Sequence, residues 1–225
     1  MTAMRYSQDY IKRMIEQFGE FLLALKQLLA EDKRAEARGQ LDLAYRELLG
    51  MTPQFVRDAP DDYLILATGL AQVGDMNKSV VLSELLSADG DWHALAGEYD
   101  VAQACYVKAA NVLLEALLRQ PFGVAKDDVA RADALIEKLA HSDVPFATRA
   151  RLFRYHERIH RFADAEDDLY GLLEDAPEDE SLLEAGVAFY ERLLRLKDHE
   201  LLLGGLPRDE AEAGLAELKA RRPPA

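Results

Sequence analysis

The sequence predicts an all-α protein of about ten helices and no sheet, organised as a repeat of paired antiparallel helices. Three observations predict it. Apolar residues recur at helical rather than strand spacing along almost the whole chain. Prolines 53, 60, 121, 145, 177 and 207 stand between the periodic segments, where proline starts or stops helices. A frame of small and aromatic residues returns in phase around Ala37, Ala102 and Ala165.

The first helix is expected from about Ser7 to Ala30. Ile11, Ile15, Phe18, Leu22, Leu25 and Leu29 alternate steps of four and three, and Met14, Phe21 and Leu28 widen the stripe. Such a stripe packs on the next helix of its own chain. Its heptad-like steps also suit a seam between two copies. Further helices are expected near 33–49, 60–73, 76–95, 98–119, 126–141, 146–160, 162–175, 179–197 and 208–221. Leu64–Leu66 and Val80–Leu82 are the β-like runs, and both lie inside helical periodicity.

The repeat is read from geometry. Gly97, Tyr99, Ala102, Tyr106 and Ala109 have the spacing of the second half of a tetratricopeptide unit. A small residue at Ala102 lets one helix approach its neighbour closely, and the two tyrosines fill the space on either side. The frame returns at Phe162, Ala165, Leu169, Leu172 and Pro177, and more faintly at Ala37, Leu41 and Ala44. The three alanines are 65 and 63 residues apart, close to two repeat periods of about 34 residues each. The expectation is a tetratricopeptide-like α-solenoid forming one domain over 1–225. Its repeat-type pairs lie near 8–49, 76–119 and 146–177, with C-terminal helices at 179–197 and 208–221.

Composition narrows the function classes. Hydrophobic residues make up 49% and charged residues 30%, enough for a buried core. A formal charge of −14 repels phosphate backbones and favours basic or amphipathic partners. No nucleic-acid partner is expected. The single cysteine, Cys105, allows no internal disulfide and suits a reducing compartment. No run of about 18 apolar residues is present, so no membrane partner or span is expected. The start lacks a secretory signal, and the expected location is cytoplasmic.

Three stretches carry a resemblance: Asp9-Tyr10-Ile11-Lys12-Arg13-Met14-Ile15-Glu16-Gln17; Arg151 to Tyr155 with Phe162 to Asp167; and Phe189 to Leu193 with Gly204-Gly205-Leu206-Pro207-Arg208. Through these the chain resembles an uncharacterised bacterial family of tetratricopeptide-like helical proteins. The resemblance implies the fold and assigns no activity, cofactor or site residue.

Two motifs suggest chemistry. His156-Glu157-Arg158-Ile159-His160 matches H-E-x-x-H, whose histidines share a helix face and can hold zinc beside a glutamate base. Glu174, Glu178, Glu180 or Glu184 can be nominated as a third ligand. The context opposes a zinc hydrolase, because no sheet is expected beside the helix and His160 falls in the turn between paired helices. The family that the chain resembles carries tyrosine in place of His156 and glycine in place of His160. The second motif is basic. Arg151, Arg154, Arg158 and Arg161 follow i, i+3, i+7, i+10 with Tyr155 at their border, a stripe able to clamp a carboxylate. The acidic helix from Asp164 to Asp175 can equally pair with it internally. Gly204-Gly205-Leu206-Pro207 reads as a helix stop and start rather than a phosphate loop. Cys105 reads as a buried, inert thiol, and Trp92 as a core aromatic.

The leading expectation is a non-enzymatic module that binds a protein or peptide without a cofactor. The alternatives are a zinc-dependent hydrolase using His156 and His160 and a homodimer through the first helix.

Overall fold

A computed structural model describes residues 18–68, 76–140 and 142–221. These residues form twelve helices and no strand. They are α1 (18–30), α2 (Arg34–Leu49), α3 (Pro53–Asp58), α4 (Asp61–Ala67), α5 (Met76–Leu95) and α6 (Tyr99–Arg119). There follow α7 (Lys126–Leu139), α8 (Phe146–Arg158), α9 (Phe162–Asp175), α10 (Glu180–Leu193), α11 (Asp198–Leu203) and α12 (Arg208–Arg221). Ile11, Met14 and Ile15 of the expected first stripe, and 69–73 of the expected helix 60–73, lie outside the described residues.

Two short helices exceed the expected ten. No helix is expected between 49 and 60, but the six residues from Pro53 wind into α3. Thr52 caps it by accepting from the Phe55 N–H at 3.2 Å, and Pro53 supplies a preset first turn. The expected helix 179–197 ends at Leu193, and α11 follows after a turn. There the Glu200 carboxylate reaches back to the Lys197 N–H at 2.9 Å.

The chain divides into two compact units. The first comprises Met1–Pro121 with Ala125–Asp143, and the second Phe122–Val124 with Val144–Ala225. In the first, α6 packs on α4, α5 and α7, and α5 also meets α2. Ala109, Val112, Leu113 and Leu117 of α6 are fully buried. By length and composition alone α6 can cross a membrane, but here 56% of its apolar window is buried within the unit. Phe18 and Leu25 of α1 are also buried, so the described part of the first stripe faces its own chain. Asp89, wholly buried in α5, accepts from Arg38 of α2 at 2.5 Å and Arg57 of α3 at 2.7 Å. These charge-assisted bonds tie three helices through one carboxylate. Trp92 lies beside this cluster. Its indole N–H donates to the Arg34 carbonyl at 2.9 Å, and the Arg38 guanidinium sits 5.3 Å from its ring.

Three of the helix ends are alike. Asp32, Gly97 and His160 have φ of +56°, +81° and +61°, the left-handed region. In each case the next residue's N–H bonds five residues back at 2.9 Å: Lys33 to Leu28, Glu98 to His93, Arg161 to His156. Each left-handed residue stands five before one of the phased alanines, and Ala37, Ala102 and Ala165 are all buried. The recurrence legible in sequence therefore corresponds to three equivalent helix–turn–helix junctions, α1–α2, α5–α6 and α8–α9. At the second junction Gly90 allows the Tyr106 ring against α5, a space that any Cβ would fill.

The second unit is built on α8–α9 and α10–α12. Phe153, Phe162, Leu169, Phe189 and Tyr190 form its centre. Gly204-Gly205-Leu206-Pro207-Arg208 has two structural tasks. The Gly204 carbonyl accepts from the Phe162 and Ala163 N–H groups at 2.8 and 3.1 Å, capping α9 from outside. The Arg208 guanidinium donates to the Leu194 and Leu196 carbonyls at 3.1 and 2.6 Å, closing the end of α10.

Candidate functional site

Three of the four stripe arginines, Arg151, Arg154 and Arg158, lie on one face of α8. Helix α8 ends at Arg158, so Arg161 stands beyond it, at the start of α9. Arg151 donates to the Ala147 carbonyl at 3.0 Å, and Arg158 to the Phe122 carbonyl at 2.8 Å. Tyr155, expected at the border of the stripe, is fully buried, and its ring belongs to the core. Arg154 alone of the four arginines is exposed. Among the described residues it has no hydrogen-bond or ion-pair partner.

Arg154 stands on the edge of a groove of about 330 Å³ in the second unit. Ala150 and Phe153 of α8, Leu172 of α9, and Leu182 and Ala185 of α10 supply its apolar lining. Phe146 adds a ring that is 42% exposed. The amphipathic period places these residues together, because 146, 150 and 153 fall on one side of α8. The other charges are committed. Glu157 accepts both guanidinium bonds of Arg192, at 2.7 and 2.9 Å. Asp179 caps α10, accepting from the N–H groups of Ser181 and Leu182 at 2.9 and 3.2 Å. The Ser181 hydroxyl bond, followed by the Leu182 N–H, holds the Asp179 carboxyl below its ordinary value. The groove thus offers one uncommitted guanidinium above an apolar floor.

His156, Glu157 and His160 go three separate ways. His156 is buried, with Nδ1 2.7 Å from Oδ2 of Asp168 on α9. Burial raises the Asp168 carboxyl above its ordinary value, and the contact with His156 opposes that rise. Glu157 faces Arg192 of α10. His160 lies past the helix end in the left-handed region, its ring stacked 5.4 Å from Phe162. The two histidines therefore do not share a helix face. Their counterparts at the preceding equivalent junction are His93, in the last turn of α5, and the left-handed Gly97, so of the two histidines only His160 stands in the turn. Among the described residues no three His, Cys, Asp or Glu side chains gather in a metal-holding group.

Cys105 is buried, and burial, with the Asp89 charge adding to it, pushes its thiol up to about 12. At neutral pH it is protonated and a poor nucleophile.

The sequence marks Arg154 only as one of four candidate arginines and does not mark the groove. Leu182, Ala185 and Arg192 lie far along the chain from α8, and no local pattern marks them as its wall. The Glu157–Arg192 pair left one sequence trace: Arg192 is the first basic residue after the cation-free stretch from Phe162 to Glu191.

Among the described residues the fold is all-helical, and its second unit carries an arginine-edged apolar groove. The chain belongs to the family described as Family of unknown function (DUF6483), whose model matches residues 5–222. No curated protein and no solved structure matches it.

Proposed function

We propose that the protein is a non-enzymatic, tetratricopeptide-like interaction module that binds a protein or peptide partner through the α8–α10 groove. The observation that carries this reading is the unpartnered Arg154 guanidinium beside an apolar floor. An exposed arginine with no internal partner contributes little to folding, yet it can form a bidentate bond to a carboxylate on a docked chain. The apolar floor supplies burial, and Arg154 supplies orientation. The three equivalent helix–turn–helix junctions support the repeat assignment, since stacked pairs of this kind present their surfaces for binding.

Arg154→Ala is the clean probe, because Arg158 holds the Phe122 carbonyl and its loss would disturb the fold. Affinity capture is compared for the native protein, Arg154→Ala, and Ala185→Gln, which places a larger side chain at an exposed wall position. A partner enriched by the native protein and lost with both variants, their helical circular dichroism unchanged, is expected. The same partner captured equally by all three overturns the site. No enrichment over a bare matrix overturns the reading.

A further inference from the structure

A second surface, in the first unit, has the opposite electrostatic character. A cleft of about 340 Å³ opens between α3 and α6. Leu86, Val101, Ala104 and Cys105 supply its apolar lining. Val101 is 37% exposed, and Phe55, three residues before Asp58 on α3, is 44% exposed. Four charged residues edge the cleft: Arg57, Lys108, Asp58 and Asp100.

Both cations are already neutralised. Arg57 and Arg38 face Asp89, and Arg38 also holds Asp42 at 2.7 Å, so these two cations meet two carboxylates. Lys108 lies 3.4 Å from Asp61 and donates to the Ala59 carbonyl. The two anions are not neutralised. Among the described residues Asp58 accepts only from the neutral Gln54 amide, at 2.7 Å, and Asp100 is exposed at the start of α6. Neither has a cationic partner among the described residues. The result is an apolar cleft with two uncompensated carboxylates at its edge, on a chain of net charge −14.

We propose that this cleft docks a partner-protein segment that sets an apolar side chain between two basic ones. The apolar side chain fills the space over Val101, Ala104 and Cys105. The flanking ammonium or guanidinium groups meet Asp58 and Asp100. A segment bearing carboxylates is repelled at the same place, so the sign of the edge selects the partner as well as attracting it.

Fluorescence anisotropy with three labelled short peptides tests this: alternating lysine–leucine, lysine–serine and glutamate–leucine. The variants are Asp58→Asn with Asp100→Asn, and Ala104→Gln, which narrows the cleft from an exposed helix position. The lysine–leucine peptide is expected to bind, and the other two at least about tenfold more weakly. The double asparagine variant is expected to lose about fivefold or more, with a shallower salt dependence. Ala104→Gln is expected to weaken binding without altering that salt dependence. Amide shift changes in the native complex are expected on α3 and the first half of α6. Binding unaffected by either variant would falsify the proposal, since the peptide would then be held by the general negative charge. Equal binding of lysine–serine removes the apolar component, and no binding of any peptide overturns the docking surface outright. These outcomes leave Arg154 and the second unit's groove untouched.

Discussion

At the scale of single residues, the left-handed positions reveal the most. Gly97 adopts φ of +81° without strain, whereas His160 and Asp32 carry a Cβ in the same region. His160 is exposed, and its ring stacks on Phe162. His160→Gly removes a left-handed penalty of about 1–2 kcal/mol. It adds unfolded-chain entropy of about 0.5–1 kcal/mol and loses the ring stack. Equal or slightly higher stability is expected, by about 0.5 kcal/mol, read from the urea midpoint. A large loss would show that the Phe162 stack holds the α8–α9 junction. The same variant tests the zinc alternative, because a metal held by His156 and His160 would be lost with it, and metal analysis alongside reads that directly.

At the scale of elements, the packing of α9, α10 and α12 places a carboxylate in a poor environment. Glu166 of α9 accepts from the Tyr190 hydroxyl of α10 at 2.6 Å. Burial raises its carboxyl above the ordinary 4.5; the Tyr190 bond opposes this, while Glu210, Asp167 and Glu217 add to the rise. The folded state therefore holds a proton that the unfolded state has already released. Between the unfolded value and the higher folded value, stability falls as pH rises, and above the folded value the whole cost is present. Below about pH 4 both states are protonated and no cost remains. Glu166→Gln keeps an acceptor for Tyr190 and removes the charge. It is expected to raise the melting temperature near neutral pH, with the difference vanishing in acid. A difference independent of pH would assign the effect to packing.

Gly204 belongs to the same scale. A Cβ there would lie 2.8 Å from the His160 carbonyl oxygen and closer still to the Phe162 ring. Gly204→Ala is therefore an overpacking change worth about 1–3 kcal/mol at the cap of α9. A loop glycine acts on a helix forty residues earlier because its carbonyl serves that helix's unpaired N–H groups.

At the scale of the whole molecule, two compact units share one chain, and each has its own keystone. Asp89→Ala leaves Arg38 and Arg57 without their shared buried carboxylate, at a cost of about 3–5 kcal/mol in the first unit. Gly204→Ala acts in the second. Scanning calorimetry is expected to show each variant lowering one of two transitions and sparing the other. A single transition moved by both would mean that the units unfold together. The proposed binding surfaces divide in the same way, an arginine-edged groove in one unit and a carboxylate-edged cleft in the other.

The sequence by itself determined the helices and their phase. Hydrophobic period, proline punctuation and the three alanines are local signals, and helix formation answers to local signals. The bounds of α5 and α9 and the positions of the three junctions follow from them. The short helices α3 and α11 escaped, because six residues carry too little periodicity to stand out. Tertiary structure alone decided which charges remain available. Arg151, Arg154, Arg158 and Arg161 are alike in sequence, and only the folded chain leaves Arg154 uncommitted. Asp58 and Asp100 likewise became distinctive only when Arg57 and Lys108 were drawn to other partners. A side chain's partner comes from helices distant in sequence, and one-dimensional spacing does not encode that choice.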